Sequence, residues 1–276
     1  MAELIIEAGR TEGQYWRDLW SYRELFYVLA WRDIMVRYKQ TAIGVLWAVI
    51  QPFLNALIMT FVFHRVAGVQ SVGLAPYILV AYAGTMPWQF FNTALAGSSN
   101  SVLSNAQLIS KIYFPRLIIP ASTVVTAMAD LVVAIGLLLA MMLFYWYLPT
   151  WRILFLPAFV ILLFAVTLGP GLLLTALTVK YRDFRHIVPF VVQLGFFVSP
   201  VAYPSTVVHA KYATLYPFYC LNPMVGVMDG FRWCILGSSS PIDWRSQFLS
   251  VIGTIFLLLL GIWYFRRTER SFADVI

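Results

Sequence analysis

Residues 40–64 carry no Asp, Glu, Lys or Arg, and they follow directly on a basic, Trp-rich segment that ends at Arg37, Tyr38 and Lys39. About 20 apolar residues suffice for a helix to cross the hydrocarbon core of a bilayer. The run at about 41–63 therefore reads as a spanning helix. Charge-free apolar runs recur at about 77–98, 153–179, 187–204 and 246–265, and a sixth at about 119–147 is interrupted by Asp130 alone. The pattern predicts an all-α polytopic membrane protein with six transmembrane helices within a domain of about residues 41–266.

The flanking segments have patterns of their own. In the cytoplasmic segment 1–40, Leu19, Tyr22, Phe26 and Leu29 fall at helical spacing, with Arg17, Arg23, Glu24 and Arg32 interspersed. One apolar stripe on a charged helix suits an amphipathic helix lying in the headgroup layer, either as a plain anchor or as a rigid element facing a cytoplasmic partner. Between spans two and three, Asn105 is placed to cap a short helix that ends before Pro115. Residues 207–237 are broken by Pro217 and Pro223 yet too apolar for an ordinary loop. Two short outer helices re-entering the membrane fit them, because such backbone is tolerated when protein shields it. Residues 267–276 read as a cytoplasmic tail.

Charge sets the orientation. Of the 19 basic residues, six precede span one, and Lys111, Arg116, Lys180, Arg182, Arg185, Arg266, Arg267 and Arg270 lie on the same side. The positive-inside rule puts both termini in the cytoplasm. The net charge of +7 is this bias, and no basic run resembles a nucleic-acid surface. Glu3, Glu7 and Glu12 stand where a cleavable signal would be basic. Cys220 and Cys234 fall in the outer segment, where a disulfide is chemically permitted, although two buried thiols explain them equally simply.

Candidate chemistry is sparse. Span two carries Gln89, Asn92 and Thr93 beside Trp88, Phe90 and Phe91, and span five carries Gln193, Phe196, Phe197, Ser199 and Tyr203. Rings that stack on pyranose faces, next to hydrogen-bonding groups, suit a sugar path; interfacial belts and packing account for many of the same rings. Asp130 is a functional candidate as a membrane acid, or a hydrogen-bonded tie between two helices. The chain lacks a phosphate-binding Gly-Lys-Ser/Thr loop, a metal-ligand cluster and a pair of catalytic carboxylates. No catalytic residue, metal or cofactor is expected in this chain.

Several segments together resemble a family. Arg32-Asp33, residues 36–41, Gly44-Val45-Leu46-Trp47-Ala48 and Gln51-Pro52 are similar to the membrane subunit of type-2 ABC exporters that secrete polysaccharides. So are Lys111 to Arg116, Val179 to Asp183, Ser199 to Pro204, Leu221 to Met224 and the tail from Tyr264 to Arg270, in collinear order. The resemblance leans to the O-antigen and capsule export class. It implies a homodimer with two ABC ATPase subunits that hold ATP and Mg, set in the bacterial inner membrane among its lipids. The implied substrate is a polysaccharide on a polyprenyl diphosphate carrier. A teichoic acid, a lipid or a small hydrophobic drug is the alternative cargo. On that resemblance, Arg23, Arg32, Lys111, Arg116, Arg182 and Asp183 are expected to meet the ATPase. The substrate path is expected to run past Arg37, Lys39, Trp47, Trp88, Phe91, Phe197 and Tyr203.

Cysteines introduced near positions 10, 113, 184 and 272 are predicted to resist a membrane-impermeant thiol reagent in intact cells, whereas one near 240 is labelled. Labelling from outside at 113 or 184 contradicts the six-span arrangement.

Overall fold

A computed structural model describes residues 12–39, 44–69, 75–269 and 272, and among these the regular structure is helical, with no strand. The helices are α1 (Glu12–Ser21), α2 (Arg23–Lys39), α3 (Gly44–Met59), α4 (Tyr77–Ser104), α5 (Ala106–Lys111), α6 (Ile118–Phe144), α7 (Leu156–Lys180) and α8 (Phe184–Val198). They continue with α9 (Ser205–Lys211), α10 (Tyr216–Tyr219), α11 (Pro223–Leu236) and α12 (Trp244–Glu269). A π-helical stretch, Thr60–Val66, extends α3, and a 3-10 turn, Trp151–Phe155, leads into α7. Helices prevail because a backbone in hydrocarbon must satisfy its own N–H and C=O groups.

Four stretches are long and apolar enough to cross a bilayer: Val49–Val66, Ile118–Phe144, Trp151–Lys180 and Trp244–Glu269. α4 has the length, at 28 residues, but its Thr, Gln, Asn and Ser residues lower its hydropathy. α8 is the clearest departure from expectation. It stops at Val198, short of the residue 204 that the apolar run suggests, because Pro200 drives Ser199 into an extended conformation (φ −98°, ψ 152°). At ~1.5 Å per residue its 15 residues reach about 22 Å, less than a hydrocarbon core of about 30 Å.

The amphipathic segment also differs from its reading. It is two helices, not one, and its apolar stripe is covered by protein: Leu19, Tyr22, Phe26 and Leu29 pack on Phe114, Ile118 and Ile119. Trp16, Trp20, Tyr27 and Trp31 stay exposed on the outside of this pair. Asn105 holds the N-cap position of α5, as expected, but its side chain makes no capping bond. Its amide donates back to the Ser101 carbonyl (2.9 Å), and its oxygen accepts from Arg32 (3.2 Å). Residues 205–236 hold three helices instead of two. α11, the longest, is buried almost throughout between α4, α7 and α12. Asn222 starts it by accepting from the Met224 N–H (3.1 Å), with Pro223 at the first helical position. Cys220 and Cys234 are both buried free thiols.

α4 is the central helix, packed against α3, α6, α7, α8 and α11, while α7 and α12 lie side by side. The α7–α12 approach depends on glycine: a Cβ added to Gly261 would stand 2.1 Å from the Gly169 carbonyl oxygen. Backbone-to-backbone packing of this kind replaces the hydrophobic drive that lipid removes. Toward the N-terminal end of α4, Gly84 leaves room for a fully buried Arg232. The Arg232 guanidinium donates to the carbonyls of Pro200 (2.6 Å) and Val201 (2.7 Å), and more distantly to Val80 (3.4 Å) and the Asp229 carboxylate (3.5 Å).

Gly84→Ala is predicted to lower the melting temperature of the purified protein in detergent. Its Cβ would lie 2.1 Å from both Arg232 Nη2 and the Val201 oxygen, and overpacking of this kind costs about 1–3 kcal/mol. Gly136→Ala, where nothing stands within 4 Å, should be neutral or stabilising. Equal melting curves for the two variants contradict this account of the Arg232 site.

Candidate functional site

Where α2 ends, a cavity of about 530 Å³ opens between α2, α3, α4 and α6. Two ladders build its wall. Trp47, Gln51 and Asn55 follow at every fourth residue of α3, and Thr85, Gln89 and Thr93 do the same on α4. Residues four apart share one face of a helix. Pro52, Met86, Phe90, Leu131 and Ala134 supply the apolar remainder. The wall thus pairs an indole ring with amides and hydroxyls that both donate and accept hydrogen bonds.

The charged end of the cavity belongs to Asp130. One of its oxygens accepts from the Arg37 guanidinium and the other from the Tyr38 hydroxyl. Consecutive residues at the end of α2 therefore converge on one carboxylate of α6. Both members of the ion pair are about one-third exposed, Arg37 at 39% and Asp130 at 33%. Farther down the same pair of helices, the Thr126 hydroxyl approaches the Ala30 carbonyl at 3.5 Å. Asp130 is a tie between two helices, and it also faces the cavity.

Of the residues expected on a substrate path, Arg37 and Trp47 line this cavity. Lys39 is exposed in the last turn of α2 and is not among the lining residues. Trp88 and Phe91 of α4 instead form a ring cluster with Phe196 and Phe197 of α8, at centroid separations of 5.4–6.0 Å. Trp88 is buried there, and a Cβ on Gly195 would meet its ring at 3.0 Å. Tyr203 lies beyond the end of α8, beside Phe63 (6.0 Å). The sequence reading missed Tyr38, Gln51, Asn55 and Thr85, although the fourfold spacing of both ladders is visible in the sequence.

The residues expected to meet an ATPase divide into two groups. Arg23, Lys111, Arg182 and Asp183 are exposed. Arg32 is exposed too, but it is held by Asp33 (2.8 Å) and Asn105 (3.2 Å). Arg116 is engaged within the chain. Its backbone N–H donates to the Glu269 carboxylate (3.0 Å), its guanidinium donates to the Glu269 carbonyl, and it sits 5.9 Å from the Phe272 ring. The Tyr15 hydroxyl donates to the other Glu269 oxygen (2.9 Å), and Arg266 stands over the Tyr15 ring (4.6 Å). Burial, then the Glu269 charge, pushes the Tyr15 phenol well above its ordinary pKa. α1, the loop before α6 and the end of α12 are thereby joined into one clasp.

Comparison with known proteins adds a family-level match: residues 24–236 fit the description of an ABC-2 type transporter. The chain is similar to the O-antigen export system permease protein RfbA of Myxococcus xanthus, 31% identical over 216 residues, which cover 78% of this chain and 82% of that protein. It is 28% identical to a Klebsiella pneumoniae protein of the same name, over 92% of this chain and 95% of that one. Similarity to the polysialic acid transport protein KpsM of Escherichia coli is lower, 21% over 87% of this chain and 92% of that protein.

Proposed function

The chain belongs to the ABC-2 type transporter family, as a permease of its polysaccharide export systems, and we propose that it carries a polyprenyl-diphosphate-linked, O-antigen-type glycan from the cytoplasm across the inner membrane. The observation that carries this reading is the cavity wall. Gln51, Asn55, Thr85, Gln89 and Thr93 offer uncharged donors and acceptors, and Trp47 offers a ring. A hydroxyl-rich chain needs both, because its CH faces stack while its hydroxyls must be satisfied. A small hydrophobic drug would leave those amides unpaired at a cost of about 1–3 kcal/mol each. A polymer must also move on, so many shallow contacts serve it better than one tight site.

In this reading two copies of the chain form the pathway, with both termini in the cytoplasm and six helices crossing the membrane. The exposed apolar side chains of α3 (Leu54, Leu57, Ile58) and α8 (Phe190, Leu194, Phe197) give the second copy a surface to meet. Two ATPase subunits, which hold ATP and Mg, dock on the exposed Arg23, Lys111, Arg182 and Asp183. The clasp through Arg116 and Glu269 passes their movement to α1, and α1 adjoins α2. α9 to α11 close the outer end.

Reconstitution with the ATPase in proteoliposomes tests both halves. Trp47→Ala, Gln51→Ala and Gln89→Ala together should slow export and leave carrier-linked glycan on the inside. Each stacking contact is worth only about 0.5–1.5 kcal/mol, so no single change should abolish export. Lys111→Glu with Arg182→Glu should lose co-purification of the ATPase while the subunit still inserts. Full export from the triple variant removes the cavity from the pathway, and a stable complex from the double variant removes the docking assignment.

A further inference from the structure

We propose that the Arg37–Asp130 pair is a latch between α2 and α6 that a phosphate group entering the cavity releases. This rests on the export reading for the source of the phosphate, but its geometry stands without that reading. Among the described residues lining the cavity, Arg37 and Asp130 carry the only formal charges. An anion in this space has one cationic partner to take, and Asp130 already holds it. The two charges cancel while the cavity is empty, so its wall presents a neutral, hydrogen-bonding surface.

The pair can yield. Both side chains are partly exposed to the cavity, and ion pairs in such settings are worth about 0–1 kcal/mol. A phosphate dianion brings more charge and more acceptor oxygens than a carboxylate, and guanidinium binds it in a bidentate manner. The Tyr38 hydroxyl, adjacent in sequence and donating to the same Asp130, can turn to the incoming oxygen as well. Elsewhere α2 is held to the start of α6 by apolar contacts of Leu29 with Ile118 and Ile119. Releasing Asp130 therefore removes one tie at the far end of α2 and leaves its other end anchored. The result is a hinge-like movement of the segment that leads into α3. An uncharged sugar has no means of triggering it, so the latch responds to the anionic end of the cargo and ignores the glycan body.

The movement can be read directly by distances between spin labels on Val36→Cys and Val132→Cys, which are both exposed positions. The measurement uses the full complex with its ATPase in lipid nanodiscs, with Cys220 and Cys234 replaced by Ser. Three probes are added in turn: polyprenyl diphosphate without glycan, inorganic pyrophosphate, and uncharged polyprenol. Polyprenyl diphosphate should lengthen the distance and polyprenol should leave it unchanged. A response to inorganic pyrophosphate as well upholds the latch and assigns free phosphate as a sufficient trigger. A response to the lipid alone upholds it and assigns the carrier. Asp130→Asn, which keeps the shape and removes the charge, should show the lengthened distance with no ligand. It should also bind polyprenyl diphosphate roughly fivefold more tightly, through loss of one nearby like charge. Arg37→Gln should bind the diphosphate more weakly and lose the distance response. The latch is refuted if the diphosphate binds to the wild type without changing the distance, or if Asp130→Asn matches the wild type in both distance and affinity. If the latch responds but no glycan is exported by the reconstituted complex, the export reading fails and the latch stands.

Discussion

A guanidinium with no access to solvent ties α11 to α4 and to the break after α8. Pro200 ends α8 and leaves the carbonyls of residues 200 and 201 without helical partners, in a place where water does not replace them. Arg232 reaches both from α11 at 2.6 and 2.7 Å, with Val80 of α4 and Asp229 at longer range. A buried charge costs several kcal/mol unless it is well compensated, and here the orphaned carbonyls provide the compensation. The break after α8 and the burial of Arg232 therefore each require the other. Gly84 is the space between them. The shortness of α8, the position of its rings against Trp88 and the burial of α11 all follow from that junction.

The opposite end, around α1 and α2, is organised by a different kind of contact. α1 and α2 give their apolar stripe to the α5–α6 loop and the start of α6, and the Glu269 clasp joins α1 to the end of α12. One continuous body thus runs from the exposed loops to the end of α2, where Arg37 and Tyr38 meet Asp130. A displacement applied at the loops has a packed route to the cavity wall. The polar ladders on α3 and α4 lie at the far end of that route.

Much of this was legible in the chain. The apolar runs gave the helical class, and the positions of α4, α6, α7 and α12 agree with them to within a few residues at most ends. Some local signals lie in the sequence but were passed over: Asn222-Pro223 starts α11, and Pro200 ends α8 short of the expected residue 204. What the sequence hid is pairing at a distance. Asp130 looked like a solitary membrane acid because its partners lie 93 and 92 residues earlier, in a segment read as cytoplasmic. Arg116 reads as an ATPase contact, and its engagement with Glu269 stays hidden because the two lie 153 residues apart. Asn105 fits a helix cap by composition, but Arg32 competes for its oxygen. Trp88 reads as a path residue or as a packing residue, and the structure places it buried beside Phe91 and Phe196, contacts made across two helices that the sequence does not display.

The central claim is that glycan passes the wall formed by α3 and α4. A photoreactive phenylalanine analogue placed at position 51 tests it most directly, in the assembled transporter supplied with carrier-linked glycan and ATP. The account predicts a glycan adduct at 51 that increases when hydrolysis is arrested during export. The same analogue at position 256, on the exposed apolar face of α12, should capture lipid and no glycan. Equal glycan capture at both positions, or none at 51 while export proceeds, contradicts the claim.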